Sequence, residues 1–258
     1  MDRNGIAALA CVGCGLILQA CGGKDTSPTT REDGQSKTAQ TSALETGSKI
    51  LQSTAPVKQL DVYLVGFHPL KDHPAVQMEA HHYCSQMNED FAQCALFDGN
   101  TNSAHLTGVE YIISEKLFSK LPDAERQYWH PHNYEILSGQ LVAPGLPETA
   151  EKILLKQKMN SYGKTWHLWM SGADNGGDAL PLGPPHLAWS FNYDGEVRPD
   201  LLQKRDRTMD IDTSKKRRDR QDLAPAAHPQ QGADALKRKF TASSGSQRAQ
   251  GDRREDGK

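Results

Sequence analysis

Residues 79–97, EAHHYCSQMNEDFAQCALF, decide the fold because they read as two strands joined by a short turn. The runs Glu79–Met87 and Phe91–Phe97 have the composition of strands, and Asn88-Glu89-Asp90 between them is typical of a turn. A hairpin centred on Glu89 places Cys84 directly opposite Cys94, since both lie five residues from the centre. The stretch therefore predicts an antiparallel hairpin.

The segments on either side of this hairpin predict further strands and a few helices. Alternating or β-branched runs predict strands at Gln59–Phe67, Thr107–Ile113, Tyr134–Val142, Thr165–Met170 and His186–Tyr193. Short helices are expected to begin at Ser114-Glu115 and at Pro122, and a longer one spans Pro147–Asn160. Strands outnumber helices without strict alternation. We therefore expect a single α+β domain with mostly antiparallel strands, a few short helices and disordered ends.

Composition divides the 258 residues into four parts. Residues 1–20 read as a signal peptide, and residues 21–58, rich in Ser, Thr, Gln and Gly, as a flexible tether that begins at Cys21. The folded domain is expected at 59–202. Residues 203–258 carry 15 basic and 9 acidic side chains with few large apolar residues, which predicts a solvated, disordered tail.

The amino-terminal segment indicates export and lipid attachment. An uncharged, mostly apolar run from Gly5 to Leu18 is too short to span a bilayer but suits a signal peptide. Leu18-Gln19-Ala20-Cys21 resembles the bacterial lipobox, whose cysteine receives a diacylglycerol before cleavage. The alternative is an ordinary secretory signal that contains cysteine. Our interpretation is a chain lipidated at Cys21.

Lipidation at Cys21 would place the protein in the cell envelope, with membrane lipid as its partner. Gly22 after the cysteine, rather than aspartate, favours the periplasmic face of the outer membrane in a Gram-negative host. An exported location argues against nucleic acid as a partner. The run Lys215-Lys216-Arg217-Arg218 could contact anionic lipid, although interspersed aspartates weaken that idea.

Cys84 and Cys94 allow three interpretations, which the residues leave open. Cα atoms of residues opposite each other in a hairpin lie roughly 4.5–5.5 Å apart, which allows a disulfide. An exported compartment permits that bond. The two could instead be buried free thiols, or zinc ligands together with His82.

Histidines are the sharpest chemical feature of the chain. Glu79, His81, His82 and Cys84 lie within one stretch of six residues. Further along, His130-Pro131-His132 is followed by Glu135. Imidazole and carboxylate groups at such spacing can hold zinc, copper or iron. The candidate ligands of a transition metal are His81, His82, His130, His132, Glu135 and His167. The alternative for each is a packed, hydrogen-bonded core residue.

Two common catalytic motifs are absent from the sequence. The sequence contains no glycine-rich phosphate loop and no G-x-S-x-G elbow, which argues against a P-loop enzyme and an ordinary α/β-hydrolase. Longer blocks are more informative. They comprise QMEAHHYC (77–84), GVEYIISEKLF (108–118), Trp129-His130, Tyr162-Gly163-Lys164, Trp166-His167 and LPLGPP (180–185).

These blocks, in this order from about Asp61 to Asp200, resemble the oil body-associated protein family. The resemblance implies association with a lipid surface and carries no catalytic mechanism. Two functions follow. The first is non-enzymatic binding at a lipid surface, with an exposed patch built from Trp166, Trp169 and Trp189. The second is a metal-dependent enzyme that uses the His/Glu cluster.

Overall fold

A computed structural model describes residues 25–172, 177–237, 239 and 240. Its centre is a curled, seven-stranded antiparallel sheet. The strands are β1 (Val62–Pro69), β2 (Gln77–Asn88), β3 (Phe91–Phe97), β4 (Leu106–Ile113), β5 (His130–Pro131), β6 (Tyr162–His167) and β7 (His186–Leu187). They lie in the order β1-β2-β3-β4-β6-β5, with β7 also paired to β6.

The sheet curls until its two sides are joined by residues 186–189. β7 pairs with Trp166 and His167 of β6. The next residue, Ala188, forms a bridge with Leu70 just after β1, and the Trp189 amide donates to the Pro69 carbonyl at 2.9 Å. One face of every long strand is therefore turned into an enclosed interior.

The predicted hairpin is confirmed, with the predicted register. β2 and β3 pair with Cys84 opposite Cys94, and the structure joins the two sulfurs in a disulfide. The cysteines lie on the interior face of the sheet among Ala92, Leu96 and Ile112. Of the three interpretations left open, the structure contains the disulfide.

The described part of the chain forms seven α-helices around the sheet. They are α1 (Ala39–Leu51), α2 (Glu115–Phe118), α3 (Asp123–Arg126), α4 (Asn133–Ser138), α5 (Glu148–Lys158), α6 (Pro199–Met209) and α7 (Thr213–Asp219). The expected helices after Ser114 and Pro122 are α2 and α3, and the helix expected at 147–160 is α5. The Ser114 hydroxyl caps α2 by accepting from the Leu117 amide. None of the helices among the described residues is long and apolar enough to span a membrane.

Three strand predictions need correction. The strand expected at 134–142 is instead α4, which ends where Gly139 adopts a left-handed φ of 80°. A short apolar run fits a buried helix as well as a strand, and packing of Ile136 in the core decides for the helix. The strand expected at 186–193 ends at Leu187. The strand expected at 165–170 is β6, which begins earlier, at Tyr162, and ends at His167.

The predicted disordered tail, 203–258, is wrong for its described part. Residues 199–226 form α6, α7 and a 3-10 helix at Gln221–Ala226, all packed on the domain. Arg205 and Arg220, which look like solvated charges in the sequence, are fully buried. The folded unit therefore extends well beyond residue 202. Residues 241–258 lie outside the described part.

Buried arginines hold the carboxyl-terminal helices because the turn after α4 needs hydrogen-bond donors. The Arg220 guanidinium donates to the carbonyls of Ile136 and Leu141 at 2.8 and 2.7 Å and lies 3.2 Å from a Glu151 oxygen. Arg205 donates to the Gln140 carbonyl at 3.0 Å. These guanidinium groups take the place of water at buried carbonyls in and just after the last turn of α4.

The predicted flexible tether is also more structured than expected. α1 forms within it, although none of its residues is buried. Before α1, the Thr26 amide donates to the Asn100 side chain at 2.6 Å, and Thr30 is buried against Gly172. The signal peptide and Cys21 lie outside the described residues.

Replacement of Arg220 by methionine is expected to lower the free energy of unfolding by about 3 kcal/mol, because it removes the guanidinium donor of two buried carbonyls and one of the two basic partners of the buried Glu151. Urea unfolding of the full chain measures the change. Arg218→Met, an exposed arginine of α7, is the control and should leave stability unchanged. Equal stabilities of the two variants would contradict the packing described for this region.

Candidate metal centre

The interior of the curled sheet holds a cluster of buried histidines around one carboxylate. Strand alternation turns His68, His82, Glu110 and His167 to the interior, and β5 with the residue after it adds His130 and His132. Each of these side chains is at most 5% exposed. Glu110 lies at the centre of the cluster.

Glu110 has imidazole nitrogens against both of its carboxylate oxygens. His130 Nε2 and His132 Nε2 lie 3.5 and 3.3 Å from Oε1, and His82 Nε2 lies 2.9 Å from Oε2. Ligand atoms bound to a tetrahedral metal ion at about 2.1 Å are about 3.4 Å apart. The spacing of Glu110, His130 and His132 therefore matches three ligands of one ion, whereas His82 is at hydrogen-bond distance.

The hydrogen bonds of His132 and His82 direct their Nε2 atoms at Glu110. The Ser161 hydroxyl donates to the Lys158 carbonyl at 2.7 Å, so its oxygen accepts from His132 Nδ1 at 2.8 Å. His82 Nδ1 donates to the Ala80 carbonyl at 3.1 Å. With Nδ1 occupied as a donor, Nε2 of each ring is left to bind a proton or a cation.

His130 is the ring of the cluster that approaches Glu110, at 3.5 Å, without forming a hydrogen bond. Among the described residues, neither of its ring nitrogens has a hydrogen bond, although both are buried. Buried polar atoms without a partner are uncommon, and a bound ion or water is a standard explanation. The orphaned imidazole indicates that a ligand completes the cluster.

Gly163 provides the space in which these groups meet. A Cβ atom built on it would lie 2.1 Å from Glu110 Oε1 and 2.7 Å from the Nε2 atoms of His130 and His132. The three candidate ligand atoms thus converge on one point above a residue with no side chain. Any other residue at this position of β6 would occupy that point.

The charges of the cluster suit a cation. Burial opposes ionisation of Glu110, but the imidazoles of His130, His132 and His82 together hold its pKa well below the usual range. Burial lowers the pKa of His130, and burial with the nearby His82 lowers that of His167 to about 4. An ionised Glu110 beside a His130 ring that resists protonation is the state in which these two groups bind a metal ion.

A second set of ligand atoms lies on the other side of Glu110. His68, His82 and Glu110 offer atoms within 4.8 Å of one another, as do Glu110, His130 and His132. His68 Nδ1 also lies 3.1 Å from His167 Nε2, so His167 contacts the cluster through His68. Glu110 is common to both sets.

A small cavity of about 20 Å³ adjoins the cluster. Glu135 lines it together with His68, His82, Glu110 and His132. Burial, reinforced by the charge of Glu110, raises the pKa of Glu135 well above the usual range. Of the two carboxyl groups in the wall of the cavity, Glu135 therefore favours its protonated form and Glu110 its ionised form.

The structure brings together four of the six candidate ligands from the sequence. His82, His130, His132 and Glu135 surround the cavity or Glu110, and His167 lies behind His68. His81 lies on the opposite face of β2, where Nδ1 contacts the Tyr63 hydroxyl at 2.7 Å and Nε2 lies 3.1 Å from Glu79. It belongs to neither set of ligand atoms.

Sequence reasoning missed Glu110 and His68. Glu110 is the single acidic residue of the apolar run 107–113, and His68 directly follows a predicted strand. A charge placed on the buried face of a strand is the signal that could have found both. Trp189, expected in an exposed patch, is instead 1% exposed.

Comparison with known proteins matches nearly the same residues as the folded unit described above. A family model described as "Protein of unknown function (DUF1264)" matches residues 54–224, and the chain belongs to this family. The match covers the curled sheet and extends through α7, in agreement with the structured carboxyl-terminal region.

Curated relatives are named oil body-associated proteins. Oil body-associated protein 1A of Zea mays is 39% identical over 188 residues, which are 73% of this chain and 78% of the relative. Oil body-associated protein 2B of Arabidopsis thaliana is 42% identical over 67% of this chain and 70% of the relative. No solved structure matches the chain. The domain is thus oil body-associated-protein-like and of unknown function.

Gly163→Ala is expected to lower the free energy of unfolding by about 2 kcal/mol, because the added methyl group would overlap Glu110, His130 and His132. Thermal or urea unfolding of the full chain measures this. Gly47→Ala, where nothing lies within 4 Å of the added atom, should not destabilise the protein. A fully stable Gly163→Ala variant would mean that the cluster is looser than described.

Proposed function

We propose that this protein binds a divalent transition metal ion through Glu110, His130 and His132 and is a metal-dependent enzyme. The observation that carries the proposal is the convergence of these three ligand atoms on one point above Gly163. The unpartnered His130 ring supports it, since an ion would satisfy it.

The ligand set favours a catalytic over a purely structural metal. Structural zinc sites usually have four protein ligands rich in cysteine, whereas two histidines and one carboxylate leave positions open for water or substrate. The same set is found in catalytic zinc sites and in non-haem iron enzymes. Cys84 and Cys94 are bound to each other and so are not available as ligands.

Each neighbouring residue has a role in this arrangement. Ser161 holds the His132 ring through Nδ1, and His82 holds the Oε2 oxygen of Glu110. A divalent ion bound here would polarise a bound oxygen or acidify a bound water. Glu135 faces the same cavity with a carboxyl proton to donate.

Elemental analysis of the purified full chain is expected to find close to one equivalent of zinc or iron. Glu110→Gln and His132→Gln should reduce it at least tenfold, because each removes a direct ligand. Glu115→Gln and His228→Gln change the same residue types in an exposed pair 2.8 Å apart and should retain the metal. Metal-free wild type after reconstitution would remove the proposal.

A second proposal concerns location. We propose that a diacylglycerol on Cys21 tethers the chain to a membrane, on the periplasmic face of the outer membrane in a Gram-negative cell, where the domain acts at a lipid surface. The support is the sequence Leu18-Gln19-Ala20-Cys21, together with the names of the relatives, which associate them with oil bodies. Two or three acyl chains give stable anchoring.

Cys21→Ala is expected to move the chain from the detergent phase to the aqueous phase of a Triton X-114 extract and to abolish labelling by radioactive palmitate. Cys14→Ala, within the same segment, should change neither. Flotation of the Cys21→Ala chain with liposomes then tests whether the domain itself binds lipid. Unchanged labelling of Cys21→Ala would contradict the tether.

A further inference from the structure

A second, larger cavity opens beside the metal centre. This vestibule, of about 200 Å³, lies between α5 and the hairpin, and its apolar lining is Val62, Leu64, Cys84, Ala92, Ile112 and Leu154. Leu64, Ile112 and Lys158 line both the vestibule and the small cavity at Glu110. The vestibule is therefore next to the metal centre and separated from it only by these side chains.

Lys158 places a cation at the boundary of the two cavities. It is the last residue of α5, and its amine donates to the Gln86 side chain across the vestibule. Among the described residues it forms no ion pair with a carboxylate. Burial lowers its pKa, partly offset by the charge of Glu89, so a bound anion would relieve an unfavourable environment.

The apolar and charged side chains that line the vestibule indicate the class of ligand that it suits. The apolar lining suits a short hydrocarbon chain, and the Lys158 amine, which donates to the exposed Gln86 side chain, suits an anionic head at the outer end. Glu89 also lines the vestibule and interacts with Lys158, which is the one cation among the lining residues and offsets the repulsion between Glu89 and a bound carboxylate. Pockets of this kind use a few polar groups to orient a mainly apolar ligand.

We infer that the vestibule binds a small aliphatic carboxylate, with its carboxylate at Lys158 and its chain along Leu64, Ile112 and Leu154. This inference rests on the proposed metal-dependent activity only in naming the ligand as the substrate class.

Isothermal titration of hexanoate into the zinc-loaded full chain tests the inference. Saturable binding of one hexanoate is expected, with 1-hexanol at least tenfold weaker because it lacks the charge. Lys158→Met should weaken hexanoate about tenfold by removing a charge-assisted hydrogen bond. Lys156→Met, an exposed lysine of the same helix, should stay within twofold of wild type.

Leu154→Trp fills the vestibule while keeping the Lys158 amine and should also weaken hexanoate, which keeps the test decisive if Lys158→Met does not fold. Absence of saturable binding, equal affinity for hexanol, or equal effects of the two lysine variants would each overturn the inference. Hexanoate binding that depends on Lys158 in a chain that takes up no zinc would contradict the metal proposal alone. Zinc uptake without hexanoate binding would contradict this inference alone.

Discussion

The buried carboxylate of Glu110 is the constraint on which the interior of this protein depends. An ionised carboxylate away from water is costly unless positive or hydrogen-bonding groups surround it. Here His82 of β2 and the pair His130 and His132 at β5 do so from two separate segments of the chain. The curled sheet is the device that brings these segments together, since a flat sheet would leave β2 and β5 far apart. The cost of burying the cluster is best understood if a cation shares it.

Glycine at position 163 and the carboxyl-terminal helices serve the same geometry from opposite sides. Gly163 leaves room for the ligand atoms, while Arg205 and Arg220 bind the carbonyls that follow α4. α4 directly follows His132, so anchoring its end fixes the start of the helix beside the candidate metal centre. The basic carboxyl-terminal segment thus contributes to the site without contacting it.

Two adjoining cavities lie beside the candidate ligand residues. His68, His82, Glu110 and His132 line the small cavity, and the vestibule, whose wall is part apolar and part polar, adjoins it at Leu64, Ile112 and Lys158. Cys84 of the disulfide lines the vestibule. It lies in β2, two residues from His82 and on the same face of the strand. Covalent connection of β2 to β3 therefore stiffens both the wall of the vestibule and the strand that holds His82.

The sequence by itself determined the hairpin, its register, the helices after Ser114, Pro122 and Pro147, and the family, because these depend on turn chemistry, capping and local patterns. It also marked His82, His130 and His132. Only the tertiary structure decided that Glu110 and His68 join them and that His81 does not, since this depends on which strand faces meet across the curled sheet. The burial of Arg220 was likewise decided by the tertiary structure. Whether a basic run is solvated or buried depends on carbonyls far away in the sequence, and no local sequence pattern indicates where they lie.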